Sequence, residues 1–303
     1  MRTVAIAALL VSAGSSIALG EGRMLAVDSS RALFEINRAT GEKTQIGSVS
    51  SNVGTPGALA YDPASQTLYL SSTSLDSLFT LNPDTGEATL VGSYGPDTNI
   101  LVHGLEWDST NNILYAGSRG NIYTVDPATG LATQIITSTS LPSFNNLVHD
   151  SLNDVMYMTS STTDALYSLD LVNFGEPIFI GFLAGPTNPN GLAYVAEEDT
   201  IYLVCNNTDT LYTVDRVTGN TTVVGSTGTG NLLGLVWIPG PSGPTCPPCA
   251  ADYDNNGGVD GGDLAAFFAD FEAGESCADV DGNGGVDGGD LGFFFQVFEA
   301  GGC

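Results

Sequence analysis

The sequence predicts a mainly β protein: a five-bladed β-propeller closed by a C-terminal strand, followed by a small α-helical domain. Three observations predict this fold. One short turn sequence recurs every 44 or 45 residues over the first 219 residues. Segments of alternating apolar and polar residues flank these turns, which is typical of half-buried strands. The composition then changes sharply, because residues 246–303 contain 12 acidic residues and no Lys or Arg.

The recurring turn opens with Asn or Asp and closes with Gly. Its five copies are residues 37–41, 82–86, 126–130, 170–175 and 215–219. The opening side chain can bond to its own backbone, and the glycine supplies the left-handed residue that closes a hairpin. The alternating strands directly before the turns are residues 33–36, 78–81, 122–125, 166–169 and 211–214.

Four strands can be assigned to each repeat, and four strands in about 45 residues describe a propeller blade. The first repeat lacks its opening strand, because residues 24–27 already take the second-strand place. The missing strand appears at the far end, at residues 234–237. Pairing between these two segments would close the ring and remove its open edges. We therefore predict five blades across residues 21–240.

Residues 1–20 have the pattern of a signal peptide. Arg2 precedes an apolar run at 4–11, and Ala18-Leu19-Gly20 offers a cleavage site before Glu21. An uncleaved anchor is the alternative, but the apolar run is too short to span a bilayer. We expect a secreted protein, extracellular or at the cell surface, without a membrane span in the mature chain.

The net charge indicates which partners to expect. Seven basic residues against 34 acidic ones give a net charge of −27. Such a surface repels nucleic acid and anionic lipid and attracts cations.

A Pro/Gly linker at 241–245 leads to the tail, residues 246–303, which contains two similar twelve-residue segments, 252–263 and 279–290. Each places side-chain oxygens at positions 1, 3, 5, 9 and 12, and Gly257 or Gly284 at position 6. This is the calcium loop of EF-hand type, in which position 7 offers a backbone carbonyl. Apolar residues at helical spacing follow each loop, and Gly274 and Gly301 end the two predicted helices.

The tail resembles the dockerin domain of secreted bacterial proteins, in its Gly- and Cys-rich variety. The resemblance rests on two loop–helix units, Asp at position 12, and the lack of a helix-length segment before either loop. It implies two Ca²⁺ ions, with Asp260 and Asp287 acting through water. The implied ligands are Asp252, Asp254, Asn256, the Gly258 carbonyl, Asp260 and Asp263 in the first site, and Asp279, Asp281, Asn283, the Gly285 carbonyl, Asp287 and Asp290 in the second. An acidic flexible linker is the alternative.

In dockerins, loop positions 10 and 11 help to choose the cohesin partner. Here both pairs are glycines, 261–262 and 288–289. Glycines offer no side chain that would select a particular cohesin, so we expect a cohesin-like partner or another surface or scaffold protein.

Export permits disulfide bonds, and four of the five cysteines lie in the tail: Cys246, Cys249, Cys277 and Cys303. Four cysteines allow three pairings. The dockerin resemblance, in which the termini lie together, favours a bond from Cys303 to Cys246 or Cys249. We expect Cys205, at the end of a strand, to be a buried free thiol.

A candidate ligand site lies at one mouth of the predicted propeller. The residues just before the first strands should cluster there: Thr55, His103, Asn145, Asn190 and Asn231. The segment 189–192 is similar to the Asn-Gly segment of gluconolactonase-type propellers, whose Asn ligates the catalytic metal. A turn-capping role for Asn190 is the alternative, and we expect His149 to be packed or exposed rather than catalytic.

Three functions remain open at this point. The first is a non-catalytic binding protein, in which the propeller recognises a glycan or peptide and the tail provides calcium-dependent attachment. The second is an exported hydrolase that acts on a lactone or polysaccharide in the propeller channel. The third is a structural component of the cell surface. No catalytic residues are assigned, because no nucleophile, zinc or phosphate-loop motif appears.

Overall fold

The computed structural model describes residues 22–96, 100–137, 146–240, 246–247, 249–283 and 285–301, together with the backbone alone of Asn145. The predicted signal peptide, the linker 241–245, Gly284 and Cys303 lie outside the described residues. Within the described residues, twenty strands form five four-stranded antiparallel sheets, and two α-helices follow in the tail. Contacts divide the chain into a propeller unit, Gly22–Pro239, and a tail unit that begins at Gly240.

Each sheet is one blade of a five-bladed β-propeller, as the sequence predicts. The strands are β1 Arg23–Asp28, β2 Ala32–Ile36, β3 Lys43–Ser48, β4 Pro56–Asp62, β5 Thr67–Ser72, β6 Ser77–Leu81, β7 Ala88–Ser93, β8 Gly104–Asp108, β9 Ile113–Ser118, β10 Asn121–Val125, β11 Ala132–Thr137, β12 Asn145–Asp150, β13 Val155–Ser160, β14 Ala165–Leu169, β15 Ile178–Phe182, β16 Pro189–Val195, β17 Thr200–Cys205, β18 Thr210–Val214, β19 Thr221–Ser226 and β20 Leu232–Ile238.

The ring closes through its last strand, and this prediction is confirmed. Strand β20 pairs antiparallel with β1, with Met24 opposite Trp237 and Ala26 opposite Leu235. The first blade therefore has the order β20-β1-β2-β3, whereas the other four blades are each built from consecutive strands. The outermost strand of each blade pairs with one neighbour and has one open edge. A register shift opposite all five of these outer strands marks a β-bulge, which makes an edge a poor template for aggregation.

The recurring turns hold neighbouring blades together as well as closing hairpins. A Cβ added at Gly92, in the outer strand of one blade, would lie 2.0 Å from the carbonyl oxygen of Thr129 in the next blade's turn. Likewise, a Cβ added at Gly181 would lie 1.9 Å from the carbonyl oxygen of Thr218. Only a residue without a side chain allows the two backbones to approach so closely.

One turn differs from the pattern and corrects the expectation for Gly175. In segment 170–175 the left-handed residue is Phe174, with φ 53°, and no atom lies within 4 Å of a Cβ built at Gly175. The outer strand of the preceding blade has the buried Ile136 where the other blades have glycine. Between blades 3 and 4, the outer strand and the turn that faces it therefore both differ from the glycine arrangement of the other blades.

The five innermost strands surround a narrow channel. Their small residues and leucines, including Ala58, Gly191 and Leu235, line a cavity of about 10 Å³, roughly the space of one water molecule. A Cβ at Gly191 would lie 2.8 Å from the Leu235 nitrogen, so this glycine allows blade 5 to approach the closing strand. Tightly packed inner strands therefore fill the centre of the propeller.

The tail unit contains two helices, α1 Gly261–Ala273 and α2 Gly288–Ala300. Their central rings, Phe267 and Phe294, stack with centroids 3.9 Å apart and an interplanar angle of 1°, and both are fully buried. The helical spacing of the apolar residues in the tail places Phe268 and Phe295 on the same faces as Phe267 and Phe294, but they are 37% and 40% exposed. No described helix is both long enough and apolar enough to cross a membrane.

Candidate functional site

The two acidic loops each bring three carboxylates together. Oxygens of Asp252, Asp254 and Asp263, at loop positions 1, 3 and 12, lie within 4.8 Å of one another, and so do those of Asp279, Asp281 and Asp290. In both loops the first side chain is half-buried, the second is exposed and the third is buried. Two separate segments of sequence thus fold into equivalent clusters, which gives the tail an internal repeat.

Hydrogen bonds to the carboxylates fix the shape of the first loop. The Asn256 N–H donates to Asp252 Oδ1 at 3.0 Å and to Asp254 Oδ1 at 3.1 Å. Its side-chain amide donates to Asp254 Oδ2, and its Oδ1 accepts from the Gly258 N–H. The Gly257 N–H donates to Asp252 Oδ2, and this glycine has φ 90°, a conformation that other residues rarely adopt.

The second loop repeats this pattern. The Asn283 N–H donates to Asp279 Oδ1 at 3.1 Å and to Asp281 Oδ1 at 3.0 Å. Its Oδ1 accepts from the Gly285 N–H at 3.1 Å. The amides of Asn256 and Asn283 therefore orient the neighbouring carboxylates in the same way in both loops.

The carboxylate at position 12 links each loop to the helix that follows it. Asp263 is completely buried, and it accepts from the N–H groups of Asp254 at 3.0 Å and Asp260 at 2.7 Å. These bonds lower the pKa of Asp263, the Asp254 N–H contributing most. For Asp290, burial raises the pKa, but donation from the Asp287 and Asp281 backbones outweighs it, and the net shift is downward. Both groups therefore stay ionised at neutral pH.

The residues at position 9 have a different place in the structure. Asp260 accepts from the Gly262 N–H at 2.7 Å and caps the N-terminus of α1, and Asp287 caps α2 through Gly289 in the same way. The position-12 carboxylate accepts in turn from the backbone N–H of the cap residue, which completes a capping box at the start of each helix. Asp260 and Asp287 therefore stand outside the two carboxylate clusters.

The donor set fits a hard divalent cation. Clustered carboxylates repel one another unless a positive charge offsets them, and residues 246–303 contain no Lys, Arg or His. The neutralising charge must therefore come from solution or from another part of the protein. Carboxylate, amide and carbonyl oxygens are the ligands that Ca²⁺ prefers, and six such ligands are available at each loop in the dockerin pattern. The dockerin identity and the calcium ions stay predictions.

One disulfide is defined, and it corrects part of the expected pairing. Cys246 is bonded to Cys277, so Cys246 cannot pair with Cys303 as one of the two favoured pairings required. Cys249 is also disulfide-bonded, and its Sγ accepts from the Asp252 N–H at the start of the first loop. Cys303 lies outside the described residues. Cys205 is a buried free thiol as expected, with its Sγ 3.2 Å from the Thr187 carbonyl oxygen.

The predicted polar mouth is occupied by bonds within the protein. Asn190 Oδ1 accepts from the Asn206 N–H at 3.2 Å, and Asn231 Oδ1 accepts from the Asn206 side chain at 2.5 Å. This agrees with the capping interpretation of Asn190. His103 lines the narrow channel, and burial, together with the charge of Arg119, lowers its pKa to about 4. The side chain of Asn145 lies outside the described residues, and the Thr55 carbonyl oxygen accepts from Thr73.

The opposite end of the channel is lined by residues that the sequence analysis did not select. The inner strands end there with one large side chain from each blade, and these line a cavity of about 120 Å³. We call this cavity the aromatic cup; its five ring residues are Tyr61, Trp107, His149, Tyr194 and Trp237. The signal was present in the sequence, because each of these residues stands two positions after the leucine of its own first strand.

Comparisons with known proteins identify the fold. No family model matches the chain, and no curated protein matches it. A structure described as a nidogen/laminin complex is 17% identical with a TM-score of 0.50, over 71% of this chain and 83% of that one. A protein of unknown function from Bacteroides thetaiotaomicron is 17% identical with a TM-score of 0.51, over 74% of this chain and 60% of that one. At such identities the likeness shows the β-propeller fold alone.

Proposed function

We propose that this chain is an exported, non-catalytic binding protein, in which a five-bladed propeller recognises a ligand and a dockerin-like tail attaches it in a calcium-dependent manner. One observation carries the proposal: two equivalent carboxylate clusters in a tail unit without a single basic side chain. A cation that binds both clusters would remove their internal repulsion and favour the folded tail. The disulfide Cys246–Cys277 agrees with export to an oxidising compartment.

The geometry of the propeller favours binding over hydrolysis in the channel. A lactonase-type reaction would need a metal near Asn190 and His103. Asn190 is bonded to Asn206, and the channel beside His103 has room for roughly one water molecule. The pattern is that of a rigid scaffold whose ligand binds at an end of the channel.

Calcium binding is tested by titrating the full-length mature chain with Ca²⁺ after treatment with chelator. Calorimetry should show two ions bound per chain. A site with a Kd one hundredth of the calcium concentration would stabilise the tail by about 2.7 kcal/mol, which a melting experiment on the helix signal can detect. The propeller transition should not move.

A pair of variants distinguishes site binding from general attraction by the acidic surface. Replacing Asp252 and Asp279 by Ala removes one carboxylate from each cluster and should abolish both the binding heat and the shift in melting. Replacing Glu272 and Glu299 by Gln removes the same amount of charge from exposed helix positions and should leave both intact. A chain without any calcium response at millimolar concentration would refute the proposal.

Attachment needs a separate experiment, because calcium binding by itself names no partner. The full-length chain is used as bait in the native secretome, with calcium or with chelator. We expect a surface or scaffold protein to be retained only with calcium, and the Asp252/Asp279 double variant to retain nothing. If the same protein were retained equally in chelator, attachment would not depend on the calcium loops.

A further inference from the structure

The aromatic cup at one end of the propeller axis has the shape of a small ligand site. Each blade contributes one ring side chain, and the side chain from blade 1 belongs to the closing strand β20. Its volume of about 120 Å³ is well below the roughly 300–1,000 Å³ of pockets for drug-sized ligands. The cup therefore suits a head group of a few non-hydrogen atoms, the rest of the ligand staying in solvent.

Two nitrogens of cup side chains have unsatisfied hydrogen-bonding capacity. Trp107 Nε1 and His149 Nδ1 are both buried without a hydrogen-bond partner, and Trp107 and His149 are only 8% and 4% exposed. On its other side, His149 Nε2 lies 3.1 Å from Asp154 Oδ1. Buried polar atoms are rarely left unpaired in native proteins. An alkylated ammonium group has no acceptor for the Trp107 N–H, so a cation in the cup would contact the rings and the carboxylates, not these two nitrogens.

Two acidic residues line the cup. Glu106 and Glu197 line it, and no Lys or Arg does so among the described residues. Glu106 is half-buried on an inner strand. Burial raises the pKa of its carboxyl well above the ordinary value, even though the His149 backbone donates to it. A cation placed beside Glu106 would favour its ionised carboxylate, and an anionic phosphate or carboxylate would not be stabilised between two acidic residues.

Contacts within the protein hold three of the rings in fixed positions, and Trp237 already makes a cation–π contact. Trp237 Nε1 donates to Glu197 at 3.1 Å, and the Arg38 guanidinium lies over the Trp237 ring at 4.3 Å. Trp107 stacks on Tyr69 with ring centroids 6.1 Å apart, and Tyr194 donates its hydroxyl to Asp199. Aromatic cages with a nearby carboxylate recognise quaternary ammonium groups, because the ring faces are negative and the alkyl groups avoid water.

We propose that the aromatic cup binds a compact alkylated ammonium head group, with the rings as its walls and Glu106 as the counter-charge. The proposal rests on the function proposed above only in treating the propeller as a binding unit, and it does not depend on the calcium loops.

The test uses the two tryptophans of the chain, Trp107 and Trp237, because both belong to the cup. Their fluorescence is followed while the full-length mature chain is titrated with choline chloride in the presence of chelator. The neutral isostere 3,3-dimethyl-1-butanol, glucose and sodium chloride serve as comparison titrants. We expect a saturable change with choline, half-complete at millimolar concentration or below, and at most a linear drift with the other three.

Variants locate the site. Glu106→Gln keeps the size of the side chain and removes its charge, so choline affinity should fall at least about tenfold. Tyr61→Leu removes one wall without changing either reporter and should also weaken binding. The matched control is Glu87→Gln, which removes an exposed carboxylate far along blade 2 and should bind as the parent does. Circular dichroism and melting of each variant check that the propeller is intact.

Three results would overturn the proposal: no saturable response to choline, an equal response to the neutral alcohol or to glucose, or unchanged affinity in a folded Glu106→Gln variant. Because the titration is done in chelator, these results are independent of the calcium loops. If the chain bound choline but not calcium, the proposed calcium-dependent attachment would be refuted and the proposal for the cup would stand.

Discussion

The disulfide between Cys246 and Cys277 should decide whether the tail folds without calcium. The bond joins residues 31 positions apart, and the closed loop contains the first acidic loop and helix α1. It ends two residues before Asp279, so it ties together the segments that enter the two loops. Replacing both cysteines by serine removes this constraint from the unfolded chain.

The size of the effect follows from the length of the loop. In the chain-entropy model, a crosslink across 31 residues is worth about 3.7 kcal/mol at 25 °C. A hydrophobic core of this size rarely supplies more than about 3–5 kcal/mol, and the buried core of the tail is formed by Tyr253, Phe267, Cys277, Ala278 and Phe294. Loss of the crosslink should therefore remove most of the stability of the calcium-free tail.

Urea unfolding in chelator, followed by circular dichroism at 222 nm, measures this loss, because α1 and α2 are the only α-helices in the described part of the chain. We expect the double variant to lose the helical signal at little or no urea and to recover it when calcium is added. Cys205→Ser changes a thiol of the propeller and should leave the tail transition in place. If the double variant unfolds at the same urea concentration as the parent, the loop-closure argument is wrong.

Two further predictions concern the propeller. Gly181→Ala should lower the stability of the propeller by about 1–3 kcal/mol in a melting or urea experiment. The new methyl group would lie 1.9 Å from the Thr218 carbonyl oxygen and force blades 4 and 5 apart. Gly175→Ala is the matched control, because no atom lies within 4 Å of the new methyl group, and it should change the stability by less than about 0.5 kcal/mol. Glu106→Gln should raise the melting temperature relative to the parent at pH 7–8 and not at pH 4. Burial raises the folded-state pKa of Glu106. Its contribution to the free energy of unfolding is therefore fully present below the unfolded-state pKa and is lost as pH rises towards the folded-state pKa. A difference in melting temperature between variant and parent that does not depend on pH would contradict this.

The blade count and the closure of the ring could be predicted because they follow from local sequence repeated at a constant period. The turn residues act on their own backbone: Asn37 Oδ1 accepts from the N–H groups of Ala39 and Thr40, and Asp215 does the same for Val217 and Thr218. Such bonds depend on neighbours along the chain and are therefore legible in one sequence. The closing strand was found because one repeat lacked a strand and the end of the array supplied it.

The contacts between blades could not be predicted in the same way. The turn glycines have the left-handed conformation expected, such as φ 77° at Gly41 and Gly86. Nothing in the sequence said that the outer-strand glycines, such as Gly92 and Gly181, pack against the next blade's turn. The pairing of the cysteines was undetermined for the same reason, since the bond between Cys246 and Cys277 depends on how the two loops are arranged in space.

Residue types taken one at a time do not show how the two mouths of the propeller differ. A row of polar residues looked like a binding site, yet Asn190 and Asn231 are used to bond Asn206. The aromatic residues looked like ordinary strand residues, since Tyr and Trp are common in sheets. Only their equivalent positions in five strands around one axis place them together.

The strand that closes the ring also completes the aromatic cup. Gly191 lets the inner strand of blade 5 approach β20 to the distance that its backbone permits, and two residues beyond Leu235 the same strand β20 supplies Trp237 to the cup. A chain in which β20 had not paired with β1 would lack one wall of the cup and the Glu197 contact that fixes its ring. A ligand in the cup would therefore bind only the closed propeller and would stabilise closure by an amount that grows with the logarithm of the ratio of ligand concentration to Kd.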